Sequence, residues 1–221
     1  MKYIIFLGDG MADYPIPELG NKTPLMVAKK PAMDFIANAG RCGQFQTIED
    51  DMPTGSAVAN LSVLGYDPRE TFQGRGVLEA ASLGVKLLET DLALRVNLIH
   101  VDDVKIVSHS AGHISNQEAG HLIEDLQNHF KDWDITLTPG LSYRHLLVVN
   151  NGDPHIECAP PHDYIAKPWK KLLVKSTQPS GEKAANLLNR MIQESHDFLN
   201  DHPVNQKRMI EGKEPANMLW P

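Results

Sequence analysis

The sequence predicts an α/β protein in two parts: an N-terminal core with a parallel sheet, and a smaller α+β part after it. Three observations carry that prediction. Strand-like apolar runs alternate with helix-period segments over residues 1–88, the β-α-β-α order that suits a parallel sheet. After about residue 88 the order changes to hairpins followed by amphipathic helices, which is an α+β pattern. The composition is that of a folded chain: 221 residues, 42% hydrophobic and 22% charged, enough for one large or two modest domains with a real core.

The elements follow in order. Residues 2–8 form an apolar run read as a buried strand that enters Gly8-Asp9-Gly10. Thr23 caps, Pro24 opens and Gly40 stops a helix over 24–39, with a break near Pro31. Residues 41–48 alternate as a strand. Pro53-Thr54-Gly55 delivers Ser56 to the start of a helix reaching about Leu64, with Val58, Leu61 and Leu64 on its apolar stripe. Gly65-Tyr66-Asp67-Pro68 is a turn, and 78–84 a short helix closed by Gly84. In the second part, 91–99 alternate as a strand, Asp102-Asp103 turn the chain, and 105–109 return as its hairpin partner. A helix over 116–130 starts at a Ser115-Asn116 cap and puts Ala119, Leu122, Ile123, Leu126 and Phe130 on one stripe. Strands over about 134–138 and 142–150 come next. A helix over about 180–200 has Ala184, Leu187, Leu188, Met191 and Ile192 as its inner face.

Two residues stand out chemically. Asp9 falls at the C-terminal end of the first strand, where open α/β sheets place their ligands. Ser56 sits at the positive end of a helix dipole with free backbone N–H groups beside it. That setting suits a nucleophile that carries a phosphoryl group, and together the pair reads as half of a metal-assisted phosphoryl-transfer site. Taken singly, each has an ordinary reading: a Gly-Asp-Gly turn, or a helix cap worth about 1 kcal/mol. In the second part, Arg95 is the one charge in an otherwise apolar strand, and Arg144 sits similarly in Tyr143-Arg-His-Leu-Leu147. Each either pairs with an internal acid, Asp102 or Asp163, or points at a ligand anion. His113 lies in the small-residue loop Ser110-Ala-Gly-His113. It is either a ligand contact or a hydrogen-bonded loop residue. The other histidines show no recurring metal spacing. Gly74-Arg75-Gly76 lacks the context and Lys-Ser/Thr of a nucleotide P-loop.

Longer stretches add a resemblance. Leu7-Gly-Asp-Gly-Met-Ala-Asp13, Gly55-Ser-Ala-Val-Ala-Asn-Leu-Ser-Val-Leu-Gly-Tyr-Asp-Pro68, Gly74-Arg-Gly-Val-Leu-Glu-Ala-Ala81 and Leu94-Arg-Val-Asn-Leu98 are similar to the archaeal type of cofactor-independent phosphoglycerate mutase, in the alkaline-phosphatase superfamily. So are Ser110-Ala-Gly-His-Ile-Ser115, Tyr143-Arg-His-Leu-Leu147, Pro160-Pro-His-Asp163, His202-Pro-Val-Asn205 and Gly212-Lys-Glu-Pro-Ala-Asn217. The resemblance runs from end to end, but family members are nearly twice as long, so the chain is expected to be the N-terminal half of a longer protein. Many relatives carry an acidic residue after the nucleophilic serine; here Ala57 follows.

The resemblance implies a partial alkaline-phosphatase-like core over 1–88, an inserted substrate domain over 89–202, and a return to the core over 203–221. It implies interconversion of 3- and 2-phosphoglycerate through a phosphoserine on Ser56. Two divalent metal ions, Mn or Mg with Zn as a further candidate, would be held in part by Asp9 and Ser56. Arg95, Arg144, His113 and Arg208 would bind substrate. Neither bisphosphoglycerate nor nucleotide is expected. A homoserine kinase-like or phosphatase activity on the same scaffold, and an inactive fragment or binding module, remain open alternatives.

Charge and composition narrow the partners. The net charge of −7 disfavours a general nucleic-acid or anionic-membrane surface, while local arginines still suit a small phosphorylated acid. Two cysteines, Cys42 and Cys158, lack metal-site spacing and read as reduced thiols. No apolar run approaches the ~18 residues of a spanning helix, and the cytoplasm is the default location.

Overall fold

The computed structural model describes residues 2–221. The chain divides into two units, residues 1–53 and 54–221. The boundary expected at residue 88 therefore falls inside the second unit.

In the first unit, the expected helix over 24–39 is two pieces, α1 (Pro24–Val27) and α2 (Pro31–Ala39). Thr23 caps the first, accepting from the Met26 N–H at 3.2 Å. Pro31 opens the second, because proline lacks the N–H needed to continue a helix but fits its first turn. The two expected strands do not form: residues 2–8 and 41–48 carry no ladder. A strand is defined by neighbours that take its N–H and C=O groups. Among the described residues of this unit the only bridge is between Ile16 and Lys22. Tyr3, Ile4 and Phe6 consequently stay largely exposed, and the parallel sheet expected of this part is absent among the described residues.

The second unit begins with α3 (Ser56–Val63), α4 (Pro68–Thr71) and α5 (Arg75–Leu83). The strands follow as β1 (Leu92–Val101) and β2 (Ile106–Ser108), then α6 (Asn116–His129), β3 (Ile135–Thr138) and β4 (Arg144–Val149). A small ribbon of β5 (Ile156–Glu157) and β6 (Lys175–Ser176) precedes α7 (Glu182–Asn200), α8 (Pro203–Ile210) and β7 (Met218–Trp220). The main sheet runs β2-β1-β4-β3, with β7 also paired to β1. Its ladders are all antiparallel. Residues 203–221, expected as a return to the core, supply α8 and β7, and β7 pairs with β1 through Asn97–Trp220, Leu98–Leu219 and Ile99–Met218.

Side-chain alternation along the strands sets the layers. Leu146 and Val148 of β4 face Ala80 of α5. Leu147 and Val149 face the other way, into the main core with Val96 and Leu98 of β1, Leu122 and Leu126 of α6, and Leu188 and Ile192 of α7. Helix α6 starts where its sequence cap falls. Ser115 accepts from the Glu118 N–H, and Glu118 reaches back to the Ser115 N–H, a reciprocal capping box.

The seat of α5 positions the site. A methyl group on Gly76 would run into the Ala93 carbonyl oxygen of β1. Only glycine lets the first turn of α5 lie on that strand, and the contact delivers Arg75 to the sheet face that carries Arg95.

Candidate active site

An open cleft of about 320 Å³ is lined by Arg75, Arg95, Asn97, His109, Tyr143, Arg144 and His162. Arg95 and Asn97 project from one face of β1, two residues apart. Arg144 is paired directly opposite Asn97 on β4. Arg75 enters from the first turn of α5. Three guanidinium groups therefore meet in one place. None forms an ion pair among the described residues: Asp163 lies with His162 at 3.6 Å, and Asp102 caps the β1–β2 turn by accepting from the Val104 and Lys105 N–H groups. Burial first, and then the charges of Arg75 and Arg144, push the Arg95 pKa below its ordinary value. Glu79 offsets this only in part and, among the described residues, forms no ion pair with the three arginines, and crowded like charges of this kind are the setting that a polyanionic ligand relieves.

Aromatic rings form the other wall. Tyr143 lies under the Arg144 guanidinium, 5.1 Å from its carbon to the ring centre. His109 meets Tyr143 edge-on at 5.6 Å and His162 at 6.2 Å. Burial, followed by the nearby His162, His113 and Arg144, lowers the His109 pKa.

Ser56 opens α3 and is exposed, with Gly55 at the cap position. Its N–H and those of Ala57 and Val58 lie in the first turn, where no intrahelical acceptor exists. Arg75 links this turn to the cleft. A Cβ placed on Gly55 would sit 3.1 Å from Arg75 Nη2, so the guanidinium that lines the cleft also lies against the residue preceding Ser56.

The structure sorts the residues expected from sequence. Arg95 and Arg144 come together in the cleft. His113 stands beside it, its ring 6.1 Å from Tyr143, in a left-handed conformation with φ of 55°. Arg208 does not line this cleft. Its side chain is 3% exposed, pairs with Glu118 at 2.8 Å, and donates to the Glu214 and Ala111 carbonyl oxygens. All three nitrogens of that guanidinium are engaged inside the fold, tying α8 to the 108–115 loop and to α6. Asp9 belongs to the first unit and is an exposed residue of the Asp9–Gly10 turn; with residues 2–8 unpaired, it does not terminate a strand. Arg75, Asn97, His109, Tyr143 and His162 were not singled out as site residues from the sequence. For Arg75 a signal existed: its glycine neighbours mark a tight helix start, which signifies a close backbone approach as well as a phosphate loop.

Among the described residues, no three His, Cys, Asp or Glu side chains converge as a metal-binding group.

Comparison with known proteins identifies the lineage. The family model described as 2,3-bisphosphoglycerate-independent phosphoglycerate mutase matches residues 37–205. The chain belongs to that family. Across its full length it is 47% identical to the enzyme of that name from Methanosarcina barkeri and 49% identical to that from Methanosarcina mazei, covering 54% of each. It thus spans about half the length of the curated relatives it matches. A solved cofactor-independent phosphoglycerate mutase from Thermoplasma acidophilum superimposes with a TM-score of 0.60 at 30% identity, over 96% of this chain and 56% of that one. A Pyrococcus horikoshii protein gives 0.67 at 30% identity, over 96% and 48%.

Proposed function

We propose that this chain carries the substrate-binding cleft and the nucleophile of a phosphoglycerate mutase that works without bisphosphoglycerate. One observation carries the proposal: the Arg75–Arg95–Arg144 cleft adjoins the residue before Ser56. A phosphoglycerate has two anionic ends, and the planar fork of arginine suits both carboxylate and phosphate. The three arginines hold and orient the substrate beside Ser56.

Ser56 then acts as the acceptor. Its oxygen bonds to phosphorus as the substrate's phosphate ester bond breaks, and the serine proton ends on the released alcohol oxygen. The N–H groups of the first turn of α3 receive the phosphoryl oxygens. The glycerate turns within the arginine cleft, its neighbouring hydroxyl attacks the phosphoserine, and Ser56 is regenerated. The donor is the substrate itself, so no bisphosphoglycerate is consumed. The steps above are those this chain's own residues perform; divalent metal ions, with Asp9 and Ser56 among their donors, would supply charge stabilisation of the phosphoryl group. A soluble phosphorylated acid as substrate agrees with a cytoplasmic setting.

Ser56→Ala tests the assignment. In the full-length protein it should abolish conversion of 3- to 2-phosphoglycerate and the appearance of phosphate on the Ser56 peptide, while stability stays within about 0.5 kcal/mol, since Gly55 holds the cap position and no side-chain cap hydrogen bond is lost. Turnover retained by the variant overturns it.

A further inference from the structure

We propose that Asn97 selects ligands bearing a hydroxyl group between their two anionic ends, by accepting a hydrogen bond from that hydroxyl. This inference rests on the arginine cleft binding a phosphorylated acid.

Asn97 is out of place as a structural residue. It lies in the most buried stretch of β1, between Val96 and Leu98, and is 4% exposed. Asparagine is depleted from strands, and a buried amide is costly unless its polar atoms are paired. Its Oδ1 has no hydrogen-bond partner. Asn217, in the same region, shows the contrast. Its Oδ1 accepts from the Val101 N–H at 2.9 Å and its Nδ2 donates to the Val101 carbonyl at 2.9 Å. Asn205 is likewise satisfied on both ends. Asn97 alone among these buried amides keeps an unused acceptor, and it alone lines the cleft.

Its position gives that acceptor a use. Arg95 lies two residues back on the same strand face, and Arg144 is directly opposite on β4. Asn97 therefore sits between two cations that take the ends of a short dianionic chain. Arginine only donates, so a hydroxyl on the intervening carbon needs an acceptor from elsewhere. An aspartate would supply one, but it would draw the arginines into ion pairs and repel the ligand's own charges. The amide oxygen accepts without charge. Oδ1 is enclosed and unpaired, and a half turn of the amide, whose two ends are nearly isosteric, exchanges Oδ1 with Nδ2 and presents the acceptor to the cleft.

The test compares 3-phosphoglycerate with 3-phosphopropionate, which has the same anionic ends and lacks the hydroxyl, by calorimetric titration of the full chain. The wild-type protein should prefer 3-phosphoglycerate by about tenfold or more. Asn97→Ala should bring the two within about threefold, chiefly by weakening 3-phosphoglycerate. A general packing defect would weaken both alike, because their charges match. If Asn97→Ala proves unfolded by circular dichroism, the Asn97 side-chain amide resonance of the wild-type protein decides. It should shift with 3-phosphoglycerate and stay nearly fixed with 3-phosphopropionate. An unchanged preference in the variant, or an equal amide response to both ligands, overturns the role of Asn97 while leaving the arginine cleft intact. Failure of the wild-type protein to bind either ligand overturns both.

Discussion

His145 should make the second unit lose stability as the pH falls below neutrality, by an amount the structure sets. The side chain is fully buried on β4, opposite Val96. Its Nδ1 accepts from the Gly140 N–H at 3.1 Å, and its Nε2 has no partner. The ring is thus held neutral, and burial lowers its pKa from 6.5 to about 4. In the unfolded chain the imidazole takes up a proton near its ordinary value; in the folded chain it does not until much lower pH. The unfolded state therefore binds more protons between those values, and stability rises with pH across the window. The contribution is complete above about pH 6.5 and is lost towards pH 4, for a total of roughly 3 kcal/mol at 1.36 kcal/mol per pKa unit. His145→Asn keeps an acceptor for Gly140 and removes the titration. Urea unfolding at pH 7 and pH 5, followed by tryptophan fluorescence, isolates the effect, since Trp133, Trp169 and Trp220 all lie in the second unit. Wild type should lose about 2 kcal/mol more than the variant between these two values. Equal losses, or an imidazole resonance titrating near 6.5 in the folded protein, would refute the reasoning.

Two further outcomes follow from the cleft. Gly76→Ala should force α5 away from the Ala93 carbonyl, costing about 1–3 kcal/mol and weakening phosphoglycerate binding through Arg75; an unchanged melting temperature and affinity would remove Gly76 from the account. His109 has a lowered pKa in the free protein, set by burial and neighbouring positive charge. A bound anion should raise it, so binding takes up a proton at His109 and tightens as pH falls through its titration, which imidazole NMR with and without ligand reads directly.

Local chemistry in the second unit was legible in the sequence. The Ser115 cap, the stripe on α6 and the alternation of β1 each name their own structure within a few residues. The apolar run 2–8 and the alternating segment 41–48 were not, because such a segment states a propensity and its pairing partner lies elsewhere. The chain end was illegible for the same reason: nothing in Met218-Leu-Trp220 announces that it pairs with β1. Arg95 and Arg144 could be found as charges in apolar strands. Arg208 entered only through the resemblance, and it is satisfied by Glu118 and two carbonyl groups that only the fold brings near. Arg75 was hidden because its meaning depends on Gly76 meeting β1, a tertiary contact.

Titration of the chain with 3-phosphoglycerate, for the wild type and for Arg95→Leu and Arg144→Leu, tests the central claim most directly. Leucine keeps much of the apolar stem and removes the anion-binding fork. The account predicts that the wild type binds and that each variant binds at least about tenfold more weakly, with unfolding free energies within about 1 kcal/mol of wild type. Wild-type affinity in both variants would contradict it and return the two arginines to the role of ordinary strand residues.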